Sequence, residues 1–163
     1  MIASPDKSYL TPEEYLQLEA ASDSKHEYIN GKIYAMAGGT DTHVTIALNV
    51  AVMLRSHLRG SGCRVFISDM KVRIETKNRF YYPDVMVTCE TKDRENSTYK
   101  QFPRLIIEVL SDSTEAFDRG DKFADYQCLS SLQEYVLINT KKARIECFRR
   151  TEEGLWLLQF YKL

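Results

Sequence analysis

The side chains with the most chemical potential in this sequence are acids placed where packing favours apolar residues. Glu108 interrupts Leu105-Ile106-Ile107 and Val109-Leu110, the least polar run of the chain. An ionised carboxylate left alone in such surroundings is costly, so it must be paired with a base, protonated or bound to a metal. Asp84 follows Pro83 and opens a second apolar run, Val85-Met86-Val87, 24 residues upstream. Lys122 stands 14 residues past Glu108, with Asp118 one helical turn before it. Two strand carboxylates and a lysine are the groups that metal-assisted hydrolysis of a phosphodiester requires. Hard carboxylate oxygens hold Mg²⁺ (or Mn²⁺ in its place), which takes few protein ligands and keeps several waters. Such a metal acidifies a bound water and neutralises charge building on phosphorus, and an ammonium can orient the water or stabilise that charge. The same residues also suit a Glu108–Lys122 ion pair at a strand end, with Asp84 a solvated turn acid. Spacing alone leaves both readings open.

Regular elements must bring these residues together. Thr11-Pro12-Glu13-Glu14 starts a helix, with Thr as N-cap, Pro at the first helical position and Glu14 completing a capping box. The helix fades near Ser22-Asp23-Ser24. Asn30-Gly31, flanked by His26–Ile29 and Lys32–Tyr34, predicts a tight hairpin, because both turn positions need positive φ. Gly38-Gly39 then precedes a second helix, whose apolar face is read from Val44, Ala47, Leu48, Ala51, Leu54 and Leu58. Gly60-Ser61-Gly62 ends it.

From Cys63 the period falls to two. Cys63–Ile67, Met70–Ile74 and Tyr81–Val87 read as strands, and residues 91 to 101 as an exposed, mobile loop. Leu105–Leu110 is apolar on both faces apart from Glu108, the signature of a central strand covered on both sides. A third helix is expected from about Thr114 to Leu129, then strands at Glu134–Asn139, Arg144–Arg149 and Leu155–Tyr161. The sum is an α/β fold, a mixed β-sheet flanked by helices.

Composition sets outer bounds. The chain has 163 residues, 44% of them hydrophobic and 28% charged, which suits one domain over residues 1–163 with a substantial core. Ten Tyr and seven Phe argue against disorder. No apolar run approaches the ~20 residues of a membrane span, and Met1–Ser8 carries no apolar signal segment, so a cytoplasmic protein is expected. With 22 Lys and Arg against 23 Asp and Glu, no global basic field draws in nucleic acid, though a local basic groove is compatible. Cys63, Cys89, Cys128 and Cys147 lack zinc-site spacing and are read as small buried hydrophobes outside any disulfide framework.

The order of a hairpin Glu, a Pro-Asp on a strand and a Glu on the following core strand resembles the PD-(D/E)XK nuclease superfamily. The fuller pattern is similar to the bacterial Uma-two family, grouped with the restriction endonucleases. The matching stretches are Leu10–Tyr15, Glu27–Gly31, Tyr82–Val85, Ile107–Ser111, Asp118 through Lys122 to Tyr126, and Leu132–Tyr135. They span roughly residues 10–150.

That resemblance implies a restriction-endonuclease-like core and roles for four residues. Asp84 and Glu108 would hold the metal, and Glu27 matches the acid that precedes them. The superfamily's lysine should fall two residues after Glu108, but Leu110 stands there. The resemblance to this family places the lysine on the next helix as Lys122. The implied activity is a Mg²⁺-dependent endonuclease acting on double-stranded DNA.

A non-catalytic binding or assembly module on the same fold is the competing reading, favoured by the mild acidity and by the absence of a base-reading motif. His43, which resembles a His found there in the family, suits a contact to the site or, more commonly, a capping or surface histidine. Asp69 and Lys71 suit outer groups of the site or, more commonly, a solvated strand end. Tyr126 and Tyr135 read as packing. Arg55, Arg59 and Arg64 suit either a DNA-facing patch or a solvated face. Trp156 reads as core or interface. The run Leu155-Trp156-Leu157-Leu158, with Phe160, is too apolar for one half-buried strand, and it points to a homodimer contact.

Overall fold

The computed structural model describes residues 9–162. The reading of Met1–Ser8 as lacking a signal segment lies outside the described residues. Helix α1 spans Pro12–Ala21 and is capped as expected: the Thr11 side chain accepts from the Glu14 amide, and Glu14 accepts from the Thr11 amide. Strands β1 (His26–Ile29) and β2 (Lys32–Ala35) form the hairpin, with Asn30 at φ 46° and Gly31 at φ 87°. Helix α2 is Asp41–His57, followed by β3 (Arg64–Ile67), β4 (Lys71–Ile74), β5 (Arg79–Tyr81) and β6 (Val85–Thr88). A 3₁₀ turn at Thr91–Arg94 leads to β7 (Tyr99–Lys100) and the long β8 (Pro103–Leu110). Helices α3 (Glu115–Arg119) and α4 (Asp121–Tyr126) precede β9 (Glu134–Asn139), β10 (Arg144–Arg150) and β11 (Trp156–Lys162).

The strands form two sheets, β2-β1-β5-β4-β7 and β11-β10-β9-β8-β6-β3. Strand β8 is central, antiparallel to β6 and parallel to β9. Its parallel partner requires a crossover, which α3 and α4 supply. Helix α2 covers one face of the larger sheet, packing Ile46, Ala47, Val50, Ala51 and Leu54 against Val85, Ile107 and Ile138. On the other face Phe123, Tyr126 and Leu129 pack on Met86, Ile106, Leu110, Tyr135 and Leu137. Val72, Ile74 and Tyr81 of the smaller sheet join that same cluster, so the two sheets share a core. Helix α1 closes the smaller sheet over Leu10, Tyr15, Tyr28 and Phe80.

Five expectations are corrected. The run Tyr81–Val87 is not one strand: β5 lies in the smaller sheet and β6 in the larger, and the chain passes between them at Tyr82-Pro83-Asp84, where Pro83 can donate no ladder bond. The buried face of α2 is rotated from the expected one, leaving Val44, Leu48, Val52 and Met53 exposed. The third helix is broken at Gly120 into α3 and α4. Residues 91 to 101 are ordered around Asp93, whose buried carboxylate accepts from the Thr88 hydroxyl and the Gln101 and Phe102 amides. Cys63 and Cys89, facing each other across β3 and β6, form a disulfide, while Cys147 is buried and Cys128 exposed.

Candidate active site

Residues Glu27, Asp84, Glu108 and Lys122 come from four elements and meet where the two sheets share their core. In β8 the side chains of Ile106, Glu108 and Leu110 point to the face covered by α4, so Glu108 is carried into the core by strand alternation. One step beyond the Val85–Ile107 pair, Asp84 stands opposite it, and the Asp84 amide donates to Glu108 Oε2 at 3.4 Å. Lys122, on α4, reaches Glu108 Oε1 at 3.0 Å, Glu27 Oε1 at 3.1 Å and Asp118 Oδ1 at 3.5 Å. Glu27 also accepts from the Tyr82 amide at 3.3 Å, which ties the hairpin to the Pro83-Asp84 crossing.

Burial is graded across the cluster. The side chains of Glu27, Glu108, Asp118 and Lys122 are 4–7% exposed, whereas Asp84 and His43 are 18% and 20% exposed. Asp84 is thus the carboxylate at the mouth. Its Oδ2 accepts from the Val109 amide at 2.7 Å, and His43 Nε2 lies 2.9 Å from Oδ1. The bond to Asp84 raises the His43 pKa against the opposing effect of burial. Burial pushes the Glu108 carboxyl well above its ordinary range, and Lys122 only partly reverses this, since Asp118 and Asp84 repel the charge. Burial also disfavours the Lys122 ammonium, but the surrounding acids outweigh it and hold its pKa well above the usual lysine value.

Sequence reasoning missed one member and weighted another the wrong way. Tyr126, read as packing, also donates its hydroxyl to Glu108 Oε1 at 3.1 Å. His43, read more as a capping or surface residue than as a site contact, sits against Asp84. Tyr135 packs on Phe123 and donates to the Asp118 carbonyl. Asp69 is a solvated strand end, paired with Lys25, and Lys71 lies over the Tyr82 ring. Leu110, where the superfamily lysine would fall, is buried core.

Comparison with known proteins now bears on this arrangement. A family model described as "Uma2: Putative restriction endonuclease" matches residues 12–163, nearly the whole chain. The chain belongs to the Uma2 family. Among curated relatives it is 40% identical over 153 residues to the uncharacterized protein slr1290 of Synechocystis, covering 94% of this chain and 80% of that one. It is 37% identical over 151 residues to sll1609 of the same organism, covering 91% and 85%. A solved structure from Anabaena variabilis, described as "a putative nuclease belonging to DUF820", superposes with a TM-score of 0.73 at 18% identity, covering 94% of this chain and 85% of that chain. At that identity the likeness is one of fold, and it agrees with the α/β expectation.

The donor set of this Uma2 protein can be tested against a hard cation. Among the described residues no group of three or more His, Cys, Asp and Glu side chains is arranged to hold a metal ion. Mg²⁺, however, is often held by only one or two carboxylates and otherwise by water. Asp84, partly exposed, and Glu108, buried behind it, both offer carboxylate oxygens. Behind them Glu27, Glu108 and Asp118 share the single ammonium of Lys122. That surplus of acid is the electrostatic setting in which a divalent cation is stabilised, so the residues fit the group.

Proposed function

We propose that this Uma2 protein is an endonuclease that hydrolyses phosphodiester bonds in double-stranded DNA with Mg²⁺, Mn²⁺ serving in its place, and that it works as a cytoplasmic homodimer. The observation that carries the reading is the convergence of Glu27, Glu108 and Lys122 behind a partly exposed Asp84, with more acid than base. In this reading Asp84 and Glu108 hold the metal, which when bound supplies an acidified water and neutralises charge on the phosphate. The Val109 amide and His43 hold the Asp84 carboxylate in place, one at each oxygen. Glu27 and Asp118 keep Lys122 protonated and pointed at Glu108, and its positive charge favours the negative charge developing at phosphorus. Tyr126 fixes the rotamer of Glu108 by its hydroxyl bond.

The test is cleavage of supercoiled plasmid by the purified chain in Mg²⁺, Mn²⁺ or EDTA. Nicked and linear products are expected with either metal, none with EDTA, and none above background from Asp84→Ala. A wild type that never cuts, with any metal, overturns the catalytic reading. That result would leave the binding or assembly module, which the exposed apolar strand β11 favours.

A further inference from the structure

At the far end of β3 and β6 from Asp84, four arginines from three segments line one cavity of about 620 Å³. Arg55 and Arg59 lie in and just past the last turn of α2, Arg64 opens β3, and Arg94 ends the 3₁₀ turn after β6. All four are exposed. None of them pairs with a carboxylate among the described residues, and Arg94 donates only to the Gly62 carbonyl, at 3.1 Å. Of the acids nearby, Glu90 borders an adjoining hollow beside Arg64 and Arg94, and Asp93 is buried and taken up by Thr88, Gln101 and Phe102.

Two of these arginines have a local explanation. Arg55 and Arg59 complement the negative end of α2. That does not account for Arg64 and Arg94, which belong to other segments and meet the same cavity. Like charges brought together repel, weakly where solvent screens them, and an anion in the cavity would relieve that repulsion. The base of the cavity is also held in place: Gly60 and Gly62 take positive φ (81° and 82°), and the Cys63–Cys89 disulfide ties the residue before Arg64 to the end of β6. Guanidinium forks match the oxygens of a phosphodiester.

Position supplies the second argument. Asp84 and Cys89 bracket β6, so the strand end beside the arginines lies about 17 Å from Asp84 at ~3.4 Å per residue. That is the rise of about five base pairs of duplex. Between the two points runs β3, an edge strand with no neighbour on its outer side among the described residues. We infer that the Arg55, Arg59, Arg64 and Arg94 cavity grips the phosphodiester backbone of a nucleic acid duplex about five base pairs from Asp84. The choice of a nucleic acid rests on the nuclease reading above, but the grip is tested without cleavage.

The experiment is fluorescence anisotropy of a labelled 20-base-pair duplex in EDTA across a sodium chloride series. Wild type is compared with Arg55→Ala/Arg59→Ala, Arg64→Ala/Arg94→Ala and a charge control beside the smaller sheet, Lys77→Ala, with melting curves confirming that each is folded. Each double variant is expected to bind about tenfold or more weaker. Its plot of log affinity against log salt should flatten by about 1–2, at ~0.9 for each phosphate no longer neutralised. Lys77→Ala should leave the slope unchanged. Unchanged slopes in both double variants, an equal loss in Lys77→Ala, or no duplex binding by wild type would each overturn the proposal. Sodium phosphate at matched ionic strength is the second arm. If phosphate raises the melting temperature of wild type but not of the double variants, while those variants bind duplex as wild type does, the cavity is a free-phosphate site and the backbone grip fails. The two readings separate cleanly. Arginine-dependent binding by a chain that never cuts DNA upholds the grip and sinks the nuclease. Cleavage with binding unaltered in both double variants does the reverse.

Discussion

Lys122 is the residue on which the candidate site balances, because one ammonium serves Glu27, Glu108 and Asp118 in a space nearly closed to water. Removing it strands three buried carboxyl groups. Lys122→Ala should therefore cost on the order of 3–5 kcal/mol in stability. Glu108→Gln should behave in the opposite way, since Lys122 keeps two partners and one of the crowded acids is neutralised. Its melting temperature should match or exceed that of wild type while cleavage is lost. The pH dependence follows from burial, which raises the Glu108 carboxyl above its unfolded value near 4.5. Between those two values the folded chain binds the proton more tightly than the unfolded one. The contribution of Glu108 is then fully present below the unfolded value and is lost as pH rises through the folded one. In EDTA the melting-temperature advantage of Glu108→Gln should grow as pH rises and close as pH falls toward about 4.5. A Glu108→Gln variant as unstable as Lys122→Ala would mean that the pair is a structural ion pair and nothing more.

At the scale of elements, what was legible was what local chemistry decides. The capping box, the Asn30-Gly31 turn and the doubly covered β8 each depend on residues a few positions apart, and each formed where expected. What was hidden depends on tertiary partners. Two sheets could not be told from one, because Tyr81 and Val85 are equally strand-like and only their partners differ. The face that α2 buries was set by where β6 and β8 lie, and both of its faces carry aliphatic residues. The segment 91 to 101 is polar, and nothing in its order announces that Asp93 would accept from Thr88, Gln101 and Phe102, five to nine residues away. The disulfide was equally hidden, since cross-strand pairing of residues 63 and 89 requires the β3–β6 register. It closes a loop of 26 residues, so Cys63→Ser/Cys89→Ser should lose on the order of 3 kcal/mol. That corresponds to a melting temperature roughly 6–12 °C lower for a chain of this size. The same drop should appear when wild type is melted in reductant, and an identical curve with and without reductant would show that the bridge does not stabilise the fold.

For the whole molecule, the acids of the site were legible because a carboxylate in an apolar strand demands an explanation, and the family pattern ordered them. His43 was left between two readings, because its contact with Asp84 exists only once α2 lies across the larger sheet with its N-terminus over Asp84. The other feature that reaches beyond the single chain is β11, the terminal strand of that sheet. Leu157 and Phe160 point to opposite faces of it and are 61% and 54% exposed, with Leu155 at 64% and Leu158 at 43%. Among the described residues no strand pairs with its outer edge, and Lys162 is its sole charge, so it lacks the charge and proline that usually keep edge strands apart. A second copy of the chain meets both needs at once. Antiparallel pairing of β11 about a twofold axis continues the ladder and covers apolar residues on both faces, and a self-complementary contact of this kind closes without leaving a new edge. Light scattering at micromolar concentration should therefore give twice the chain mass. Leu157→Lys/Phe160→Glu should give a folded monomer, because both residues are solvent-exposed within one chain and little of its own core depends on them. If the nuclease reading also holds, that monomer should nick supercoiled plasmid but produce linear product slowly, one strand at a time. A wild type that scatters as a monomer would remove the dimer and leave β11 an unprotected edge.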